Sequence, residues 1–348
     1  MSTPISTTQP KKKTITRTIH PVGQGAFYSE TFYDEDEKPF YTAVYDCGGR
    51  KTLLEGEIEK LSRVDIVFLS HFHWDHYSGY LQLKRQFSPP IVVIPHISPS
   101  RFLVDFVRNS MKDKSGKACS FMLKLLPILR TGIDGEINDG TPTKYRPVKK
   151  GEEYSHPVPL ECPQWEYLSF YNEKDQAEQN LLKKLKTTLK LPNDCSVDYL
   201  SESVYKDIAK LLKDKKTIEE VKSKYAEVFK SGHNSYSMLV LSHEVKSPFC
   251  ESDGKHFDCL YTGDVNPQIK EERIVKTYNP DYLQVPHHGS NYNHNPNIYN
   301  GDIVVFMSVG ETNRYRHPGL RTFLELLDKC KKVYVVTEDE KRAFVEKR

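Results

Sequence analysis

The chain opens with alternation. Thr14–Ile19, Phe27–Tyr33 and Tyr41–Asp46 set β-branched and aromatic residues against polar ones at every second position, the pattern of half-buried strands. Gly23 and Gly25 separate the first two runs, and Gly48 and Gly49 end the third. The period then changes. Lys51–Leu61 reads as a helix, and Val64–Ser70 as the short apolar run of a buried strand. Tyr77–Phe87 reads as another helix, and Ile91–Ile94 as a second buried strand stopped by Pro95. Strand, helix and strand at this spacing predict βαβ units in a layered α/β architecture.

The stretch from about residue 98 to 232 differs. Lys183–Leu191, Glu202–Asp214 and Ile218–Phe229 carry leucine, valine and tyrosine at helical spacing among many lysines. We read 98–232 as a mostly helical insertion whose lysines form a solvated face; the alternative is a cap lining a groove for a polyanion. The β pattern returns at Tyr236–His243, His256–Tyr261, Tyr282–Val285, Ile303–Ser308 and Val333–Thr337, with helices near Lys270–Tyr278 and Leu320–Leu327. The first and last thirds are alike, so two sheets with helices outside are expected. This is a four-layer αββα sandwich of the α/β class, one domain over 14–348 behind a flexible tail at 1–13.

Composition adds limits. With 37% hydrophobic and 28% charged residues the chain suits a soluble globular protein. A formal charge of +3 neither points to a nucleic-acid partner nor rules out a basic groove. No apolar run is long enough to cross a bilayer, and Met1–Thr14, with Lys11, Lys12 and Lys13, lacks the apolar segment of a secretory signal. A cytoplasmic protein without a membrane partner is the expectation. Seven cysteines, an odd number without a CxxC pair, exclude a zinc ribbon and a disulfide framework and fit reduced thiols.

The chemistry concentrates in Phe68-Leu69-Ser70-His71-Phe72-His73-Trp74-Asp75-His76, directly after a buried strand. His71 and His73 are two apart, so in extended chain their side chains point the same way and can hold one divalent metal. Asp75 and His76 follow as the chain turns and can face a second. Imidazole nitrogens with carboxylate oxygens suit zinc, manganese or iron. Packing alone does not explain such a density of ligand types at the end of a strand.

His-x-His-x-Asp-His after an apolar strand resembles the signature of the metallo-β-lactamase superfamily. Val22-Gly23-Gln24-Gly25, Val44-Tyr45-Asp46-Cys47-Gly48, Asn234–Val240, Tyr261-Thr262-Gly263-Asp264, Leu283–Ser290, Ser308-Val309-Gly310 and Asn313–Pro318 extend the match. As a series they are similar to the soluble domain of ComEC-type competence proteins, over about 15–96 and 233–337. The resemblance implies a metallo-β-lactamase fold holding two divalent metal ions, zinc or manganese. His71, His73, Asp75 and His76 would be ligands, with Asp264 bridging both ions. One of His287 and His288 would be the last ligand, with His288 preferred; the other would face the substrate or donate a proton. Asp46 would orient a ligand histidine, and Asn313 and His317 would line the pocket.

Three departures stand out. Ala26 follows Gly25 where the family pattern continues with aspartate, the insertion lengthens the path to Asn234, and His233 precedes that segment. His233 is either a third ligand of the first metal or a loop histidine. His20, His96 and His243 read as structural, His156, His256 and His294 as surface loops, and Trp74 as packing beneath the loop.

The implied reaction is hydrolysis through a metal-bridged hydroxide, with Asp75 orienting it and His287 or His317 protonating the leaving group. The resemblance points to phosphodiester hydrolysis of nucleic acid, with Arg314, Arg316 and Arg321 as phosphate contacts. A small phosphodiester, such as a phosphorylcholine ester or cyclic nucleotide, and a non-catalytic binding module are the alternatives. β-Lactam hydrolysis is not expected without a secretory signal. A protein partner in a defence-type system is a further expectation.

Overall fold

The computed structural model describes residues 14–113, 115–137, 139, 141–160, 164–172, 176–195, 198–229, 236–245, 257–265, 269–339 and 344–347. Fifteen strands among them form two sheets. In chain order the first sheet receives β1 (Thr14–Ile19), β2 (Phe27–Tyr33), β3 (Pro39–Cys47), β4 (Ile66–Phe68), β5 (Ile91–Pro95), β6 (Gly135–Glu136) and β7 (Lys144–Val148). The second receives β8 (Glu153–Pro157), β9 (Gln164–Asn172), β10 (Ser237–Val245), β11 (Cys259–Tyr261), β12 (Tyr282–Gln284), β13 (Val304–Ser308) and β14 (Lys332–Val336). The last strand, β15 (Phe344–Lys347), returns to the first sheet beside β1. The spatial orders are β15-β1-β2-β3-β4-β5-β7-β6 and β14-β13-β12-β11-β10-β9-β8.

Each sheet is antiparallel on one side and parallel on the other. β3, β4, β5 and β7 run parallel, as do β11, β12, β13 and β14. The parallel strands β4, β5 and β13 are apolar runs, as expected for strands covered on both faces. Helices supply the cover: α1 (Lys51–Glu59), α2 (Trp74–Tyr77), α3 (Tyr80–Phe87), α4 (Pro99–Lys112) and α5 (Lys117–Thr131) follow strands of the first sheet. The last two helices, α9 (Ile269–Tyr278) and α10 (Leu320–Lys329), belong to the second sheet, where Val275 and Leu326 join its outer core.

The sheets meet face to face through aromatic rings. Tyr28 lies 5.8 Å from Tyr261 and 5.5 Å from Phe306, and Tyr45 stacks on Tyr261 at 4.9 Å. A buried charge is held in the same layer. Arg17 Nη2 lies 2.7 Å from Glu30 Oε1, and Glu30 also accepts from the hydroxyls of Tyr167, Ser242 and Tyr261 on the facing sheet. A buried ion pair is tolerated only when its remaining lone pairs are satisfied in this way.

The two-sheet sandwich matches the expected fold class. The expected helical stretch at 98–232 needs correction, because it also contains β6 to β9, which extend both sheets. Trp165, Tyr167, Ser169 and Tyr171 are buried at every second position of β9, with Leu168 buried between them. The segment that leaves the sheets is shorter: α6 (Gln176–Leu185), α7 (Glu202–Leu211) and α8 (Lys215–Val228), with α6 packed on α4 and α8. The helix expected over Tyr77–Phe87 is broken into α2 and α3 around Ser78 and Gly79. Cys47, Cys119, Cys195, Cys259 and Cys330 are free thiols.

Candidate metal centre

The site lies where the parallel strands of both sheets end. Asp46 is the penultimate residue of β3, and His71 to His76 follow β4. From the other sheet, Asp264 follows β11, and His287 and His288 follow β12. Close approach here requires glycine. A Cβ on Gly48 would meet the Asp75 carbonyl at 2.2 Å, and one on Gly263, whose φ is +56°, would meet Ser237 Oγ at 2.7 Å. Asp46, His287 and His288 also adopt positive φ, at 54°, 50° and 52°. Non-glycine residues persist there only when their surroundings hold them, as at binding sites.

Two trios of ligand-type side chains form. His71, His73 and Asp264 place one candidate atom each within 4.8 Å of one another, and so do Asp75, His76 and His288. Asp264 faces both. Its Oδ1 is 3.0 Å from His76 Nε2 and 3.8 Å from His288 Nε2, while its Oδ2 is 3.7 Å from His71 Nε2.

Hydrogen bonds fix how the histidines present themselves. Ser70 donates its N–H and its hydroxyl to the two oxygens of Asp46, each at 2.7 Å. That hydroxyl therefore accepts from His71 Nδ1 at 2.8 Å. His76 donates Nδ1–H to Asp46 Oδ2 at 2.7 Å, and His288 donates Nδ1–H to the Ser308 carbonyl at 2.7 Å. In each ring Nδ1 is the donor, so Nε2 is the nitrogen turned towards the cluster.

Burial pushes the His71 pKa well below the ordinary histidine range, and the His76 charge adds to this. Burial acts on His76 in the same sense, yet Asp264 and Asp46 outweigh it and hold His76 well above that range. Burial would raise Asp264, but His287 and His76 hold it well below the usual carboxylate range. Asp75 is also held low, its burial outweighed by His76, Lys112 and Arg108.

These residues fit divalent cations. His71 Nε2, His288 Nε2 and Asp75 Oδ1 are buried, and none has a hydrogen-bond partner among the described residues. Three orphaned buried atoms converging with a low-pKa carboxylate are what a cation of the zinc or manganese type requires.

The remaining expected residues fall out as follows. His233 lies outside the described residues, as does His256. His287 donates Nδ1–H to Asn293 Oδ1 at 2.6 Å and directs Nε2 to Asp264 Oδ2 at 3.7 Å, at the open side of the site. His317 lies 5.4 Å from the His287 ring and 6.3 Å from the His288 ring, with Tyr315 stacked on it. Burial, with His288 and His287, lowers its pKa to about 4. Asn313 does not reach into the site. Its amide donates to the Gly310 and His317 carbonyls at 2.7 and 2.8 Å and accepts from His317 N–H at 2.8 Å, so it builds the loop that carries His317. Arg314 and Arg316 are exposed on that loop. Trp74 packs on Tyr77, as expected. His20, His96 and His243 are structural, bonded to Glu57 and Ser29, the Leu129 carbonyl and Glu166. His294 is no surface residue: its side chain is 3% exposed and bonded to Glu325.

One face of α4 escaped the sequence reading. Asp105 Oδ1 lies 3.5 Å from His73 Nε2, and Arg108 Nη1 lies 2.6 Å from the same atom. Asp105 also accepts from the Tyr236 hydroxyl. The signal was faint: Arg101, Asp105, Arg108 and Lys112 fall at helical spacing, as a solvated stripe would.

No curated protein matches the sequence. The metallo-β-lactamase fold protein YhfI from Bacillus subtilis is similar at 13% identity, over 97% of this chain and 100% of its own, with a TM-score of 0.43. Unliganded yeast PDE1 is similar at 10% identity, over 94% of this chain and 98% of its own, with a TM-score of 0.41. The long form RNase Z from yeast shares 10% identity over 93% of this chain and 36% of its own, with a TM-score of 0.34. At such distances no substrate or activity transfers. The chain has the metallo-β-lactamase fold, and residues 41–160, which hold the His71–His76 loop, match the metallo-β-lactamase superfamily.

Proposed function

We propose that this protein is a metal-dependent phosphodiesterase working through two divalent ions. The observation that carries this reading is Asp264, whose two oxygens face different ligand trios. His71 and His73 would hold one ion and Asp75, His76 and His288 the other, with Asp264 between them. When bound, the ions supply Lewis acidity to a phosphoryl group and activate a water. The chain's own residues do the rest. Asp46 and Ser308 orient His76 and His288, so that Nε2 of each faces the cluster. His287, anchored by Asn293, stands at the open side beside Asp264, where it can hold a proton for a leaving oxygen. His317, with its pKa near 4, is neutral at neutral pH and offers a hydrogen bond rather than a stored acidic proton.

Nucleic acid is the substrate that the similarity to ComEC-type domains favours. A small phosphodiester is favoured by a different observation. Among the insertion lysines, Lys184, Lys206, Lys210, Lys222 and Lys224 all pair with carboxylates. Those helices therefore offer less free positive charge to a long polyanion than their composition suggests. No described helix is long and apolar enough to cross a membrane.

The test is cleavage of single- and double-stranded DNA, RNA and bis-p-nitrophenyl phosphate by manganese- or zinc-loaded protein. We expect turnover of at least one, abolished in D75A/H76A. Metal-replete protein that cleaves none of them would refute the reading.

A further inference from the structure

Helix α4 does more than cover the first sheet. Asn109 donates its side-chain N–H to the Phe72 carbonyl at 2.8 Å, clamping the helix to the loop that carries His71 to His76. Asp105, one turn earlier, lies 3.5 Å from His73 Nε2 and is held from the other side by Tyr236. Ser98 caps the helix start through its contact with the Arg101 N–H, and Pro99 opens the first turn. Arg108 therefore stands on a helix fixed to the site loop, with Nη1 at 2.6 Å from Nε2 and 3.0 Å from Nδ1 of His73. Lys112 is four residues on, one turn further along the same side of the helix.

A guanidinium at this place needs an explanation. Asp75, Asp264, Asp46 and Asp105 together balance the formal charge of two divalent cations and no more, since histidine ligands add none. Arg108 and Lys112 would leave such a pocket net positive, and like charges a few Å apart repel strongly. The arrangement becomes favourable when the substrate itself brings negative charge to lie between the ions and α4.

We propose that Arg108 binds a non-bridging phosphoryl oxygen of the substrate, with Lys112 as a second cation behind it. The inference rests on the phosphodiesterase reading and adds its specificity: an anionic ester is held on the α4 side. The planar fork of arginine gives two parallel N–H donors to such a group, which a lysine cannot reproduce. An arginine guanidinium carries its charge throughout the physiological pH range.

Metal-loaded wild type, R108A and R108K would be titrated with inorganic phosphate in a calorimeter, with metal content measured on the same samples. The expected result is at least about tenfold weaker phosphate binding in R108A and an intermediate loss in R108K, at unchanged metal content. For any cleaved phosphodiester, KM should rise more than kcat falls. Equal phosphate affinity in all three proteins, no phosphate binding by the wild type, or loss of metal in both variants would overturn the assignment. Should R108A fail to fold, R108K carries the comparison alone. Arg108-dependent phosphate binding without any cleavage would sink the phosphodiesterase reading and leave this one standing. Cleavage with undiminished affinity in the variants would do the reverse.

Discussion

Asp46 touches no candidate ligand atom that faces the site, yet three hydrogen bonds converge on it. It fixes the Ser70 hydroxyl, which sets His71, and it fixes His76 directly. Burial alone would push its carboxyl up, and it does end above the ordinary range despite His76 and Ser70. A buried carboxylate kept at that cost is a positioning residue for the histidines. Replacing it with asparagine keeps its volume and removes its charge. We expect D46N to remain folded by circular dichroism and to bind zinc about 10–100-fold more weakly, measured by competition with a chelating dye. Unchanged affinity would show that Ser70 alone sets the two rings.

At the scale of elements, α6 to α8 separate the two substrate readings. Their lysines sit in exposed pairs such as Lys184–Glu227 and Lys222–Glu219, where solvent screening leaves little net stabilisation. Changing Lys184, Lys206, Lys210, Lys222 and Lys224 together to glutamine should alter cleavage of bis-p-nitrophenyl phosphate and of a DNA strand alike, by less than about threefold at physiological salt. A selective loss on DNA would return these helices to the role of a polyanion groove. The same elements show what could be read from the sequence. β1, β2 and α1, with strong periodicity and glycine stops, were legible nearly to the residue. So was the His71–His76 loop, because three histidines and an aspartate in six positions have no packing explanation. β8 and β9 were not: β8 is an edge strand with alternate positions exposed, and the polar residues spaced along β9 make it look locally like any charged segment. Asp105 and Arg108 were hidden for a related reason. A helix sequence gives the stripe a residue occupies, and only the packing of α4 against the Phe72 carbonyl turns that stripe inward. The choice between His287 and His288 depended on which ring finds the Ser308 carbonyl, a contact across strands that local sequence does not encode.

Over the whole molecule, the cluster joins two halves of the chain. His71, His73, Asp75 and His76 come from the first sheet, and Asp264 and His288 from the second. Cations bound there would hold the folded state by mass action, about 2.7 kcal/mol at a hundredfold excess over Kd. Chelation should accordingly lower the melting temperature by several degrees, read by calorimetry with and without EDTA. No shift would mean that the cluster holds no ion in the folded protein. The two contributions to the cluster lie nearly two hundred residues apart in sequence, so neither can hold an ion in the manner of a preformed loop. Parting the sheets would separate the two contributions, so bound ions should slow amide exchange at the ends of β4 and β11.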